Sequence, residues 1–98
     1  MERFDVHEPV DGTLVVVCQS PLLDHLDVRF VMPLVAPQLA PVPAGRLNPR
    51  IEVDGETFFA FPQWSSGMPV GSLGPKVGNV DDQGLAILNA FDFLISGI

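Results

Sequence analysis

The chain is poor in cysteine, in cations and in charge of any kind. Its 98 residues include one cysteine, Cys18. A single thiol makes no intramolecular disulfide and cannot by itself build a structural zinc site. Cys18 closes the apolar run Leu14-Val15-Val16-Val17-Cys18, so it reads as a small buried hydrophobe rather than a reactive thiol. Lys and Arg number 5 against 12 Asp and Glu, for a formal net charge of -7. The five cations (Arg3, Arg29, Arg46, Arg50 and Lys76) are scattered. Nucleic-acid binders neutralise phosphates with clustered cations, so no direct contact with nucleic acid is expected. A protein partner with a basic patch suits the charge better.

Long hydrophobic runs and targeting signals are missing too. The most membrane-like stretch, Leu85 to Ile98, is 14 residues long and contains Asp92. It is too short and too polar to span a bilayer. Met1-Glu2-Arg3-Phe4-Asp5 lacks the basic and apolar regions of a signal peptide. The expectation is a cytoplasmic protein with no membrane partner.

Motifs for chemistry are equally scarce. The two histidines, His7 and His25, sit beside acids and read as surface residues. There is no HxxxH, CxxC or HExxH spacing and no GxSxG around any serine. Gly67, Gly71, Gly74 and Gly78 form neither a GxxxxGK[ST] loop nor a GxGxxG turn. Asp24 and Asp27 read as solvated acids. No cofactor, no metal and no catalytic residue is expected.

What is present is a small, apolar, turn-rich domain. Hydrophobic residues make up 47% and charged residues 17%, which is too apolar for disorder. A helix bundle of this size could not absorb 10 prolines beside 9 glycines, so strands and turns should dominate. No repeat or linker divides the chain, and its length suits one domain, residues 1–98. Arg3 to His7 alternates, with Phe4 and Val6 facing one way and Arg3, Asp5 and His7 the other. Asp11-Gly12 marks a tight turn, and Thr13 to Cys18 reads as a strand buried on both faces. Leu22 to Leu26 reads as a single helical turn or loop. Val28 to Leu34 is a strand whose Pro33 implies an edge or a bulge. Ala36 to Pro49 is irregular, with one short turn at 37–40. Arg50 to Asp54 and Glu56 to Phe61 form the clearest hairpin, around Asp54-Gly55. Met68 to Leu73 is a weaker strand, ended by Gly74-Pro75.

The one convincing helix runs from about Asp81 to Ile95. Asn79, Asp81 and Asp82 suit its N-terminus. Asn89, Asp92 and Ser96 form a narrow polar stripe, and the rest is apolar, with Phe91 and Leu94 expected in the core. A helix apolar nearly all round needs cover on most sides, which one sheet cannot supply, so a homodimer is expected. Its end, Ser96-Gly97-Ile98, offers unpaired carbonyls and a carboxylate to a cationic partner.

Three segments carry a resemblance to a known family: Val17-Cys18-Gln19-Ser20-Pro21-Leu22-Leu23-Asp24, then Arg29-Phe30-Val31-Met32-Pro33-Leu34, then Asn89 to Ile98. In order and spacing the chain resembles the CcdB family of toxins from bacterial toxin–antitoxin modules. The resemblance implies a mostly β fold, a small antiparallel SH3-barrel-like domain with a C-terminal α-helix, as a homodimer. It implies a poison rather than an enzyme, one that binds the A subunit of DNA gyrase and traps the gyrase–DNA cleavage complex. It also implies a cognate antitoxin as partner. The implied gyrase contacts are Ser20, Leu22 and Leu23 after the second strand, and Asp92, Ile95, Ser96, Gly97 and Ile98 at the helix end. The best-known member has Trp where Ser96 stands, so an alternative is a degenerate, non-toxic module that keeps antitoxin binding. A further alternative, by fold analogy alone, is an endoribonuclease toxin.

Overall fold

The computed structural model describes residues 2–97. Among them lie seven strands: β1 (Asp5–His7), β2 (Val15–Val17), β3 (Val28–Val35), β4 (Arg50–Val53), β5 (Glu56–Ala60), β6 (Ser66–Pro69) and β7 (Lys76–Asn79). One helix follows, α1 (Gly84–Ser96). All six strand pairings are antiparallel, in the order β4-β5-β3-β2-β1-β7, with β6 also on β3. The sheet curls into a half barrel with α1 against it, the mostly β architecture expected.

Local chemistry explains most of these elements. Asp54 and Gly55 hold φ at 51° and 80°, the paired left-handed residues of a two-residue hairpin turn. They set the β4–β5 register, with Ile51 and Val53 facing inward. The β2 run is buried on both faces, as its branched side chains imply. Val16 enters one apolar cluster with Phe4, Met32, Ile51 and Ile87. Val15 and Val17 enter a second with Val31 and Leu73.

The strand does not end at Pro33, which sits at a local edge where β3 changes partners. The strand continues through it to Val35. Before it, β3 pairs with β6, and after it with β5. The Pro33 carbonyl accepts from the Phe61 N–H at 3.1 Å. A strand residue points its N–H to the same side as its carbonyl. The missing donor therefore faces the gap between β6 and β5, where no ladder bond is lost.

Two further expectations are corrected. The weak strand at Met68–Leu73 lies earlier, as β6, and a 3-10 turn occupies Val70–Ser72. β7 went unexpected, because Lys-Val-Gly-Asn lacks apolar alternation. It forms by pairing along β1, with a register shift between Val6 and His7.

The helix is seated by its first turn. Gly84, Ile87 and Ala90 are its buried residues. A Cβ on Gly84 would lie 2.6 Å from the Phe4 ring, so only glycine admits this approach. Gln83 in the preceding turn accepts from the Glu52 N–H and donates to the Glu52 carbonyl, both at 2.8 Å. Its amide acts as a short strand on the β4 edge. The expected all-round cover is not what one chain provides. Leu85 is 73% exposed and Ile95 82%. Leu94, expected in the core, is 42% exposed because it lies one turn past Ala90, the last buried helix position. Phe91 is half-buried against the core and meets the Phe30 ring at 5.6 Å.

Polar groups also enter the core. All of β1 is buried, because β2 and β7 flank it, so Asp5 and His7 are not on a solvent face. His7, expected at the surface, has Nδ1 2.9 Å from the Gly74 carbonyl, while its Nε2 is buried without a partner among the described residues. Asp5 accepts from the Glu2 N–H and the Asn79 amide, both at 2.9 Å, and pairs with Lys76 at 3.1 Å. Burial pushes the Asp5 carboxyl up, but these hydrogen bonds and the Lys76 ammonium outweigh it and hold the group below its ordinary 3.8.

Two predictions follow from this packing. Ile87→Ala should cost about 2–5 kcal/mol in urea unfolding, and Asn89→Ala, at an exposed helix position, less than about 0.5 kcal/mol. Equal losses would show that the helix is seated on another face. Since folding lowers the Asp5 pKa, its contribution is complete above pH 3.8 and is lost as pH falls through the folded value. Asp5→Asn should therefore be less stable at pH 7 and show a shallower decline below pH 3.8. Parallel pH curves for the two proteins would contradict this.

Candidate functional site

No group of three His, Cys, Asp or Glu among the described residues could hold a metal ion. Burial pushes the Cys18 thiol up to about 12, so it is a packing residue at neutral pH. Among the described residues no helix is long and apolar enough to cross a membrane. What the surface does carry is exposed apolar side chains, some on one turn (Leu22, Leu23 and Leu26) and some on the helix (Leu85, Leu88, Leu94 and Ile95), with Val10, Leu39, Val42 and Trp64 elsewhere. Such exposure marks interaction sites in soluble proteins.

The turn follows β2. Ser20 starts a 3-10 turn at Pro21–Leu23, its hydroxyl accepting from the Leu22 N–H at 3.2 Å. Pro21 presets the first position. Leu22 is left 87% exposed and Leu23 is also exposed. This geometry is braced from beneath. Arg29 is only 6% exposed, although it sits in an apolar strand. Its Nη2 donates to the Asp24 carbonyl at 2.9 Å and its Nη1 to the Leu26 carbonyl. Its Nε lies 3.7 Å from the Asp24 carboxylate. Gln19 donates to the Leu23 carbonyl and accepts from the Phe30 N–H at 2.9 Å. Arg29 and Gln19 are therefore positioning residues that sequence reasoning did not single out. The available signal was a lone Arg interrupting the apolar run Val28 to Leu34.

The second feature is the helix end. Asp92, Ile95, Ser96 and Gly97 are all exposed. Gly97 takes φ 75° and donates to the Phe93 carbonyl at 2.9 Å, the left-handed stop for which glycine is favoured. Ser96 Oγ donates to the Asp92 carbonyl at 2.7 Å, so the hydroxyl is turned back onto its own helix. Arg46 lies over the Phe93 ring at 4.5 Å and braces the last turn. Ile98 lies outside the described residues.

The expected contact residues thus form two patches rather than one. No hydrogen bond, ion pair or ring contact among the described residues joins 20–23 directly to 92–97. Contacts along β3 lie between them, because Gln19 bonds Val28 and Phe30, and Phe30 meets Phe91. Val28 and Phe30 are themselves exposed and extend the apolar surface between the patches.

Residues 3–97 match the family model described as CcdB protein. No curated protein matches the chain significantly.

Arg29→Met should release the turn without unfolding the domain. The amides of Leu23, Asp24 and Leu26, which bond within the turn, should exchange about tenfold faster or more. Unchanged exchange there would remove Arg29 from its positioning role. Cys18 in the native protein at pH 8 should react with a thiol reagent at least ~100-fold slower than in denaturant. Comparable rates would show an accessible thiol.

Proposed function

The chain belongs to the CcdB family, the toxins of bacterial toxin–antitoxin modules, and we propose that it acts as one by binding the A subunit of DNA gyrase and trapping the gyrase–DNA cleavage complex. The carrying observation is that Leu22 on its braced turn and Ile95 to Gly97 at the helix end are left uncovered by the fold. These are the positions that the family resemblance assigns to gyrase contact, together with Ser20, Leu23, Asp92, Ser96 and Ile98. The acidic balance of the chain suits a basic, DNA-handling enzyme.

In this reading the protein acts by occupancy, without catalysis, in the cytoplasm. Leu85 and Leu88, exposed on α1, supply apolar surface for a homodimer. A two-fold dimer would present each patch twice to a two-fold target. The cognate antitoxin would compete by covering part of that surface.

One observation favours a second reading, a non-toxic module that retains antitoxin binding. Ser96 offers little area where the best-known member has Trp, and its hydroxyl is already bonded to the Asp92 carbonyl. A large aromatic in such a place is commonly an affinity hot spot.

The test is induction in a gyrase-sensitive bacterium, with covalent gyrase–DNA complexes counted. Complexes should accumulate, and deletion of residues 96–98 should reduce them at least ~10-fold while the unfolding midpoint stays the same. Normal growth and no complexes, with tight antitoxin binding retained, would establish the second reading instead.

A further inference from the structure

A cleft of about 480 Å³ opens beside the 3-10 turn at Gly45–Leu47, where β4 begins and β5 ends. Pro43, Gly45, Asn48, Pro49, Arg50 and Phe59 line it, and none of the six is acidic. Its frame is fixed by a buried amide. Asn48 donates from Nδ2 to the Ala60 carbonyl at 3.0 Å and accepts at Oδ1 from the Ala44 N–H at 2.9 Å. The Ala60 N–H donates to the Pro49 carbonyl at 2.9 Å and closes the same joint. Pro43 and Pro49 have their φ angles set by their rings. Arg50 and Phe59 are direct partners across β4 and β5, and the guanidinium stands 5.8 Å from the ring centroid. Arg29 and Lys76 are in ion pairs with Asp24 and Asp5. Arg50 is in no ion pair and makes no side-chain hydrogen bond among the described residues, so its N–H fork is free for a ligand.

Flat apolar walls beside one free guanidinium select their occupant. A cation is repelled by Arg50. A compact anion such as phosphate meets a single cation and leaves the walls unfilled. A neutral ring fills the walls but gains nothing from the N–H fork. We propose that this cleft binds a small planar monoanion, an aromatic carboxylate. The carboxylate takes two parallel hydrogen bonds from the Arg50 guanidinium, the geometry that its planar fork matches. The ring packs against Phe59, Pro43 and Pro49 in an offset or edge-on arrangement. The cleft falls in the size range of small-molecule sites, roughly 300–1,000 Å³. The net charge of -7 opposes an anion from a distance. Salt screens that opposition beyond about 10 Å, so the contact with Arg50 decides. The cleft shares no residue with 20–23 or 92–97, so its occupancy and the gyrase reading stand or fall separately.

The experiment titrates the ¹⁵N-labelled full-length protein at constant ionic strength with 1-naphthoate, with neutral 1-naphthalenemethanol and with acetate. Naphthoate should give saturating shifts at Gly45, Arg50, Phe59 and the Asn48 side-chain amide, with a dissociation constant of about 1 mM. The alcohol, which keeps the ring, and acetate, which keeps the charge, should each bind at least ~10-fold more weakly. Arg50→Gln should weaken naphthoate at least ~10-fold with an unchanged unfolding midpoint. Arg3→Gln removes the same charge away from the cleft and should leave naphthoate binding as it is. If Arg50→Gln proves unstable, the comparison of naphthoate with its alcohol decides without any variant. Equal binding of the alcohol or of acetate, shifts that map outside the cleft, an equal loss in Arg3→Gln, or no saturation with naphthoate would each overturn the proposal.

Discussion

The ring of Phe4 lies against Gly84, and the position of the helix depends on that contact. Phe4 is held with φ at 68°, a conformation that costs a bulky residue about 1–3 kcal/mol. Full burial of its ring returns about as much. Two backbone bonds then lock the residue, since its N–H donates to the Val17 carbonyl and its own carbonyl accepts from Val80. One residue thereby ties β1, β2 and the entry to α1. With Gly84 fixed, the helical period turns Ile87 and Ala90 inward and leaves Leu85, Leu88 and Ile95 outward. The apolar surface left exposed on the helix is a consequence of how the helix is seated.

A domain this small has many strand ends and few residues to cover them. Polar side chains take the place of missing backbone partners. Gln83 completes the β4 edge at Glu52. Gln19 completes β3 at Phe30. Asn48, almost wholly buried, donates to the Ala60 carbonyl and accepts from the Ala44 N–H, which anchors the turn that carries Arg46. Arg46 in turn lies on Phe93. Side-chain amides and two guanidiniums, those of Arg29 and Arg46, therefore stiffen the turn after β2 and the end of α1. Preorganisation of this kind lowers the ordering cost of binding.

Much of this was legible in the amino-acid sequence, because local physics decides it. The Asp54-Gly55 hairpin, the buried valine run and the C-terminal helix each follow from turn chemistry or periodicity. The remainder depends on neighbours. β7 exists because β1 offers an unpaired edge, a fact that Lys-Val-Gly-Asn does not encode. His7 alternates as a surface residue would, but flanking by β7 buries it. Leu94 has the composition of a core residue and lies past the end of the core. The turn at 20–23 was named through family resemblance and the helix end also through its unpaired carbonyls, whereas the braces, Gln19 and Arg29 for the turn and Arg46 for the helix end, come together only in the folded chain. Glu8 comes to line one cleft with Asp54 and Glu56, a long-range juxtaposition that no local pattern announces.

One helix face packs against the sheet, and the proposed gyrase contact falls to the helix end and the braced turn. Hydrogen exchange of the intact protein, measured with and without purified gyrase A subunit, tests it most directly. Amides at 22–26 and 92–97 should slow on complex formation, while those at 53–58 stay unchanged. Undiminished exchange at both patches in a saturated complex, with protection elsewhere, would contradict it.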